Sequence, residues 1–448
     1  MTETIAAISS GLVPSGVGII RVSGPKSRYI CANLTNFEPV PRLAQVKKIR
    51  DRSGKVLDHA VLLFFEEPNS FTGEDVLEIH AHGNPILLNM ILEEIFFFGI
   101  RPARPGEFTE RAFLNGKIDL LQAEAIADLI DSTSTSAVRA SIQSLQGVFS
   151  DKVHVVSEII YECRVYLEAC IDFADDLDER LYIDQINNGI NQAINEIQLL
   201  LHFSKNSLIL RSTPSVVLLG LPNAGKSSIL NALSGNDIAI VHHIAGTTRD
   251  IIKEQIRIDD YSITLIDTAG LHQTSNDVER IGIERALEQA NKADIHIWVH
   301  DAQKGKSSLD EDLKLLKNIN DLNPIVVWNK LDLLSQEQIR LLEAGLGSNE
   351  CLVSANKKIG INQLQRLIFS QVQEQHAEVP FLARTRHVDL LRKTKCSLEY
   401  CQSDLIYQSY DLLAEELKKA HDYLGEMTGK ISNDELLGRI FSSFCLGK

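Results

Sequence analysis

This chain of 448 residues has little of three things: paired cysteines, long apolar runs and positive charge. Its seven cysteines form no Cys-x-x-Cys pair, which favours reduced thiols over a disulfide framework or a zinc site. No apolar run approaches the roughly 18 residues of a membrane span. The N-terminal residues MTETI are acidic rather than basic and do not resemble a targeting sequence. We therefore expect a cytoplasmic protein with no membrane contact.

The formal net charge of −15 opposes tight, non-specific binding to nucleic acid by this chain alone. Any contact with RNA must then be local or shared with a partner. Residues 384–395 form a candidate basic patch, for which a solvated helix face is an equally good interpretation.

Residues 220–227 read GLPNAGKS, which is the GxxxxGK[ST] spacing of a phosphate-binding loop. The loop follows the apolar run 216–219, which has the β-branched character of a buried strand, and leads into a helical pattern at 228–233. Its two glycines let the backbone curl so that its N–H groups face phosphates. We then expect Lys226 at the β and γ phosphates and Ser227 at Mg²⁺.

Two further segments match the switch regions of a nucleotide-hydrolysing domain. Thr247 and Thr248, within IAGTTRD, can supply a hydroxyl to Mg²⁺ and a backbone N–H to the γ-phosphate. Residues 267–270, DTAG, close an apolar run and place a carboxylate near the metal and a glycine amide near the γ-phosphate.

The base is predicted to be guanine. Residues 329–332, NKLD, follow the apolar run 325–328, and the carboxylate of Asp332 can accept hydrogen bonds from guanine N1 and N2. Adenine lacks this donor pair, so the motif selects GTP over ATP. Ser354 and Ala355 follow another apolar run, and their loop is predicted to contact guanine O6 through backbone amides.

The catalytic groups depart from the Ras pattern. Leu271 follows DTAG, at the position where Ras-like enzymes place the Gln that orients water. An apolar side chain cannot orient water, and no arginine finger is evident. Asn223 offers an oxygen for K⁺ beside the phosphates, with a turn-forming residue as the alternative. Glu279 is one of several acidic candidates for orienting the water, with a solvated helix face as the alternative.

The pattern of apolar residues divides the chain into domains. Alternating strands mix with helix-like runs over 1–118, which predicts an α+β N-terminal domain. Helical spacing dominates 119–210 and again 375–448, so these stretches are predicted to pack as one all-α helical domain. Residues 211–374 are predicted to form an inserted α/β P-loop, Ras-like G domain. The fold class is thus multidomain.

Together, the motifs resemble the MnmE (TrmE) family of tRNA modification GTPases. The resemblance rests on GLPNAGKSS, IAGTTRD, DTAGL with VERIGIERA, NKLD and the terminal FCLGK. Blocks at 16–24, 71–78 and 104–117 extend it over essentially the whole chain. Residues 11–15 depart from the family's Pro-Pro-Gly-Arg-Gly type of loop. His242 stands where Thr is common, at a position thought to ligate through its carbonyl.

The resemblance implies roles for individual residues of the G domain. K⁺ is bound by Asn223, His242, Ile244 and Thr247, Mg²⁺ by Ser227 and Thr248, and Glu279 is the catalytic carboxylate. The residues expected to contact GTP are Asn223, Ala224, Gly225, Lys226, Ser227, Ser228, His242, His243, Ile244, Ala245, Gly246, Thr247, Thr248, Asp267, Thr268, Ala269, Gly270, Asn329, Lys330, Leu331, Asp332, Ser354, Ala355 and Asn356.

In the N-terminal domain, Glu78, His80 and His82 alternate along one predicted strand and share a face. Metal ligation is one interpretation, and a polar strand face before a turn is the commoner outcome. The resemblance implies another role, in which a tetrahydrofolate derivative such as 5,10-methylenetetrahydrofolate is bound by Arg21, Glu78, Lys117 and Lys448.

Cys445 lies in a short tail after the amphipathic run 436–444. On sequence alone it is an incidental thiol. The match of its motif, CLGK, to the family implies a catalytic role close to the one-carbon chemistry, and a lysine three residues on favours the thiolate.

By this resemblance the chain is expected to be a K⁺-activated GTPase. It would form a homodimer and, with a flavin-containing MnmG-like partner, a heterotetramer that adds an aminomethyl or carboxymethylaminomethyl group to carbon 5 of the wobble uridine of certain tRNAs. The alternative is a switch GTPase for ribosome assembly. The N-terminal blocks and the Cys445 tail argue against this alternative. A third hypothesis, a folate-dependent methyltransferase with a vestigial G domain, is disfavoured by the intact nucleotide motifs.

Overall fold

The computed structural model describes residues 3–132, 134–172, 179–211, 215–221, 223–234, 252–258, 261–267, 293–306, 308–309, 324–375, 379–402, 409–431, 434–442, 444 and 447. These residues form two compact units. One comprises 1–130, 142–201 and 386–448, and the other comprises 131–141 and 202–385.

The strands and helices are numbered in chain order over the described residues. The strands are β1 Ile5–Ile8, β2 Ser15–Ser23, β3 Gln45–Arg50, β4 Val56–Phe65, β5 Val76–Gly83, β6 Arg101–Pro102, β7 Ser215–Leu219, β8 Ile252–Ile258, β9 Tyr261–Asp267, β10 Ile295–Asp301, β11 Ile325–Asn329 and β12 Glu350–Leu352. The helices are α1 Ser27–Thr35, α2 Pro85–Phe97, α3 Glu107–Leu114, α4 Leu120–Asp131, α5 Thr135–Leu145, α6 Val148–Asp172, α7 Glu179–Arg211, α8 Lys226–Ser234, α9 Gln336–Ala344, α10 Ile361–Gln375, α11 Thr385–Cys401, α12 Tyr410–Thr428 and α13 Asp434–Ser442.

In the first unit, six strands form a sheet in the order β3-β4-β5-β2-β1-β6. All neighbours run antiparallel except β1 and β6, which are parallel. Burial alternates along β4, and apolar side chains alternate with polar ones along β5. One face of the sheet therefore packs against α1 and α2, while the other carries the polar side chains of β5. Asn84 caps α2 by accepting hydrogen bonds from the N–H groups of Ile86 at 2.9 Å and Leu87 at 3.3 Å.

The same unit contains a buried ionic cluster between α4 and α11. The carboxylate of Glu124 accepts hydrogen bonds from Arg386 at 3.0 and 2.8 Å and lies 2.8 Å from Nε2 of His387. Glu124 and His387 are both buried, and the His387 ring meets Phe149 of α6 edge to face. Burial raises the pKa of Glu124, but His387 and Arg386 outweigh it and hold that pKa well below its ordinary value. The cluster therefore joins segments that lie 262 residues apart in sequence.

The second unit contains a sheet in the order β12-β11-β10-β7-β9-β8. Its strands are parallel except for the antiparallel pair β8 and β9. Strands β7 and β11 are apolar on both faces because helices cover a parallel sheet on both sides. Val216 and Leu218 belong to one core, and Val217 and Leu219 to the other. The carboxyl ends of β7, β9, β10 and β11 therefore meet along one edge, where α/β proteins bind ligands.

This architecture confirms the predicted fold class: an α+β N-terminal part, helical segments on both sides of the inserted part, and a parallel α/β sheet within it. None of the described helices is both long enough and apolar enough to cross a bilayer.

Candidate nucleotide-binding site

The phosphate-binding loop connects the end of β7 to the start of α8. Its backbone takes left-handed conformations at Asn223, with φ of 62°, and at Gly225, with φ of 98°. A Cβ atom at Gly225 would collide with Nδ2 of Asn329, so only glycine allows this approach. Asn223 is exposed. The loop thus has the curled backbone that the motif predicts.

Lys226 is the first residue of α8, and its side chain is buried. Its ammonium donates hydrogen bonds to the carbonyl oxygens of Gly220 at 2.9 Å and Leu221 at 3.1 Å. The positive charge therefore lies inside the loop, at the N-terminus of a helix, where both the helix and the lysine favour an anion.

Asn329 links the phosphate-binding loop to the loop after β12. It is the buried last residue of β11. Its Nδ2 donates to the carbonyl oxygen of Ala224 at 2.9 Å, and its Oδ1 accepts from the N–H of Ala355 at 3.2 Å. These three residues belong to three separate sequence motifs, and the structure brings them together.

Asp332 and Ser354 form the second link between these loops. The Ser354 hydroxyl donates to Oδ1 of Asp332 at 2.6 Å. This hydrogen bond lowers the pKa of Asp332 below its ordinary value, so the carboxylate stays charged at neutral pH. The second oxygen of a charged carboxylate oriented in this way can accept a hydrogen bond from a base. Leu331 lies in the same short turn, and Asn356 is exposed beyond Ala355.

Lys330 pairs with Asp301, a residue that sequence analysis missed. Nζ of Lys330 lies 2.7 Å from Oδ2 of Asp301. The backbone of Lys330 is left-handed, with φ of 67°. Burial raises the pKa of Asp301, but hydrogen bonds from Lys330 and from the N–H of Gln303 outweigh it and lower that pKa. A signal was present in the sequence, because Asp301 ends the apolar strand β10 and is the register partner of Asn329.

Two of the residues predicted to lie near Mg²⁺, Ser227 and Asp267, belong to the described part of the chain. Asp267 ends β9 and is the parallel register partner of Leu218, so its backbone lies beside the strand that feeds the phosphate-binding loop. Ser227 and Ser228 are exposed in the first turn of α8. The predicted site residues that lie outside the described part of the chain are His242, His243, Ile244, Ala245, Gly246, Thr247, Thr248, Thr268, Ala269, Gly270, Glu279, Cys445 and Lys448.

In the N-terminal sheet, Arg21 of β2 and Glu78 of β5 are register partners. Nε and a terminal nitrogen of Arg21 donate to Oε1 of Glu78 at 3.0 and 2.8 Å. Phe71 and Phe108 each place their ring centre 5.7 Å from the guanidinium carbon. Phe108 is fully buried, whereas Phe71 is exposed. The arrangement therefore combines a carboxylate, a cation and one accessible aromatic ring, which suits a planar heterocycle with donor groups.

His80 and His82 share the face of Glu78 but have different partners. His80 Nε2 lies 3.1 Å from Oε2 of Glu78, whereas His82 Nδ1 lies 2.8 Å from Oδ1 of Asp58. Burial raises the pKa of Glu78, but His80 and Arg21 outweigh it, and the net shift is downward. The separate carboxylate partners of His80 and His82 are typical of a polar strand face. Among the described residues, no group of three metal-binding side chains is found. Lys117 donates to the carbonyl oxygen of Pro68 at 3.0 Å.

A parallel sheet with a GxxxxGKS loop, an NKxD turn and a Ser-Ala loop at the ends of its strands defines the class of P-loop GTPases. Two family models match the chain: the N-terminus of the GTP-binding protein TrmE over residues 4–117, and the MnmE helical domain over residues 120–445. The chain belongs to the MnmE (TrmE) family.

Full-length relatives agree with this assignment. The tRNA modification GTPase MnmE of Stutzerimonas stutzeri is 44% identical over 453 residues, covering 100% of this chain and 99% of that protein. The protein of the same name from Proteus mirabilis is 43% identical over the same length and coverage. Among solved structures, the G domain of the T. maritima FeoB iron transporter is 25% identical and covers 36% of this chain and 100% of that chain, with a TM-score of 0.27. The family assignment rests on the family models and the full-length relatives.

Proposed function

We propose that this chain is a cytoplasmic, K⁺-activated GTPase of tRNA modification. In this proposal it forms a homodimer and joins a flavin-containing MnmG-like protein in a heterotetramer. The complex adds an aminomethyl or carboxymethylaminomethyl group to carbon 5 of the wobble uridine of certain tRNAs. The full-length relatives, which carry the name tRNA modification GTPase, support the tRNA substrate.

The assignment of GTPase activity is supported by the hydrogen bonds that link the phosphate-binding loop to the loops predicted to bind guanine. Asn329 holds Ala224 and Ala355 together, and Ser354 keeps the Asp332 carboxylate charged beside them. One rigid frame thus presents both a phosphate-binding loop and an acceptor for guanine N1 and N2. Preorganisation of this kind lowers the entropic cost of binding.

For hydrolysis we propose that Lys226 neutralises the β and γ phosphates and that Ser227 and Thr248 bind Mg²⁺. K⁺ is held by Asn223, His242, Ile244 and Thr247, and Glu279 orients the attacking water. The buried ammonium of Lys226 and the exposed position of Asn223 beside the loop are consistent with these assignments. A second cation beside the phosphates would take the place of an arginine finger.

For the one-carbon chemistry we propose that Arg21, Glu78, Lys117 and Lys448 bind a tetrahydrofolate. The charged Glu78 carboxylate matches the donor pair of a pterin, and cations suit the glutamate tail. When bound, methylenetetrahydrofolate supplies a one-carbon unit, and Cys445 acts close to it.

We further propose the domain division 1–118, 119–210, 211–374 and 375–448. GTP hydrolysis in the third of these drives a conformational cycle of the complex rather than the alkylation itself.

The deciding experiment is mass spectrometry of tRNA nucleosides from a strain that lacks this gene. We expect loss of the modified wobble uridine and its return when the wild-type gene is restored. An Asp332→Asn gene, which abolishes guanine selection, serves as the matched control and should not restore it. Unchanged nucleosides in the deletion strain would refute the proposed function.

A further inference from the structure

The C-terminal segment packs against the N-terminal domain at two points where a glycine allows a close approach. At the first point, Gly106 precedes α3 with φ of 69°. A Cβ atom at Gly106 would lie 2.6 Å from the carbonyl oxygen of Phe441 and 3.1 Å from Cβ of Phe444. Phe444 is buried, and its ring centre lies 5.4 Å from that of Phe441. The start of α3 therefore holds the end of α13 and the residue that lies two positions beyond it.

The second point is Gly447, which is buried and has φ of 90°. A Cβ atom there would overlap the carbonyl oxygen of Ile8 and would lie 3.1 Å from Cα of Ser9. These are backbone atoms at the end of β1, and Ile8 is fixed by its pairing with Ile20 of β2, so they cannot move aside easily. Any other residue at 447 would be both obstructed and strained.

The contact of Gly447 lies close to the pair of Arg21 and Glu78. In the register of β1 and β2, Ala7 is opposite Arg21, and Ile8 is the next residue along β1. One residue of a strand advances the chain by only about 3.3 Å. The backbone of Gly447 therefore meets β1 within one residue of the position opposite Arg21.

The contact of Gly106 leads to the same pair. Phe108 follows Gly106 by two residues and packs with Ala7 in one buried cluster. The ring centre of Phe108 lies 5.7 Å from the guanidinium carbon of Arg21. The two packing points thus reach the surroundings of Arg21 from β1 and from α3.

These two points bracket the residues of the tail to which a chemical role is proposed. Cys445 lies between Phe444 and Gly447 in sequence, and Lys448 directly follows Gly447. Because consecutive Cα atoms are about 3.8 Å apart, the position of Gly447 limits how far Lys448 can move from β1.

We infer that Gly447 is a positioning residue for the one-carbon chemistry. By allowing the backbone to lie against Ile8, it keeps Cys445 and Lys448 within reach of a tetrahydrofolate bound at Arg21. This inference rests on the proposed function, which supplies the roles of Cys445 and Lys448. A side chain at 447 releases the tail from β1 without unfolding the sheet, because chain ends open at little cost. Ligand then binds a protein whose competent state is only partly populated, which lowers its apparent affinity.

The test compares three variants of the full-length chain with the wild type. Gly447→Ala introduces the Cβ atom. Gly447→Asn introduces it in a residue that tolerates left-handed backbone, so it separates the collision from the strain. Gly438→Ala is the matched control, because Gly438 is exposed on α13 and an added Cβ atom there would meet nothing within 4 Å.

Four quantities are measured for each protein. Calorimetry gives the affinity for tetrahydrofolate, and hydrogen exchange of the C-terminal peptide reports whether the tail is packed. The melting temperature and the affinity for GTP report on the remainder of the chain, which a local release of the tail leaves unchanged.

We expect both Gly447 variants to bind tetrahydrofolate about fivefold more weakly or worse, and to lose exchange protection in the C-terminal peptide. Their melting temperature and GTP affinity should equal those of the wild type, and Gly438→Ala should match the wild type in all four quantities.

Wild-type tetrahydrofolate affinity in Gly447→Ala would overturn the inference, whether or not its tail is released. Full recovery in Gly447→Asn would overturn the role of the Ile8 contact, and a melting temperature that falls in parallel with the affinity would reduce Gly447 to a structural residue. Absence of tetrahydrofolate binding by the wild type would instead refute the folate part of the proposed function.

Discussion

Asn329 and Ala224, which are 105 residues apart in sequence, are joined by a hydrogen bond of 2.9 Å from Nδ2 to the carbonyl oxygen. Through this bond the strand that carries the base-recognition turn also supports the phosphate-binding loop. The glycine at 225 allows the approach, because any side chain there would collide with the Asn329 amide.

Replacing Asn329 with alanine should therefore weaken nucleotide binding, because it removes the link between the two loops together with a side chain predicted to contact GTP. The variant leaves the carbonyl of Ala224 and the N–H of Ala355 without these partners, at a cost of about 1–3 kcal/mol each if they stay buried. We expect GTP and GDP affinities to fall together by at least tenfold. Titration with fluorescent analogues of both nucleotides checks this, and a selective loss of one nucleotide would contradict it.

The identity of the base should depend on Asp332. An Asp332→Asn variant should lose about 100-fold in GTP affinity, because two hydrogen bonds to a charged acceptor are lost, and should favour xanthosine triphosphate. Ser354→Ala is the control, since it removes only the hydrogen bond that orients the carboxylate. That variant should bind GTP less tightly and still prefer guanine. Unchanged GTP preference in Asp332→Asn would mean that this turn does not read the base.

Hydrolysis should require K⁺ near Asn223. Asn223→Ala should abolish the stimulation by K⁺ and most of the rate, while GTP affinity stays within a few fold. Phosphate release measured in K⁺ and in Na⁺ at equal ionic strength gives the answer. Equal turnover of the wild type in the two salts would rule out this role.

A Cys445 variant should separate GTP hydrolysis from the modification of the wobble uridine. Cys445→Ser preserves the size of the side chain but removes the accessible thiolate at neutral pH. We expect normal K⁺-stimulated GTP hydrolysis by the purified variant and loss of the modified wobble nucleoside in cells that carry only this variant. Normal nucleoside levels would make Cys445 an incidental thiol.

The Glu124 cluster should make stability depend on acidity. The pKa of Glu124 is lowered in the folded protein, so its contribution is present above its unfolded value of about 4.3 and is lost as the pH falls below it. Glu124→Gln should cost about 3–5 kcal/mol at pH 7, because it leaves Arg386 and buried His387 without their carboxylate. Urea unfolding between pH 3 and 7 measures both effects.

The control is Glu415→Gln, which breaks an exposed pair with Lys419 on α12 and should leave the unfolding midpoint unchanged. A Glu124→Gln midpoint equal to that of the wild type at neutral pH would show that the cluster contributes no stability.

Local patterns predicted the elements of this fold well. The apolar run 216–219, the motif after it and the helical spacing beyond correspond to β7, the phosphate-binding loop and α8. Such features depend on neighbours along the chain, which the sequence displays directly. The turn at 329–332 follows its apolar strand β11 for the same reason, since that motif is short and contiguous.

Contacts between distant segments were not predictable in this way. The pairing of Lys330 with Asp301 depends on which strands lie side by side, and the stacking of Arg21 between Phe71 and Phe108 depends on three separate segments. Arg386 and His387 belonged to a candidate basic patch, yet the structure directs both toward Glu124. A run of like charges does not show which members have a distant counter-charge.

The ionic cluster of Glu124 also sets an order of events during synthesis. Its partners Arg386 and His387 leave the ribosome only after the entire segment 202–385, which makes up most of the second compact unit. At elongation rates of about 5–20 residues per second, the 262 residues between Glu124 and Arg386 take about 13 to 52 s to make. During that interval Glu124 on α4 lacks its counter-charges. The packing of α4 against α11 therefore cannot be completed until the chain beyond residue 385 has been made.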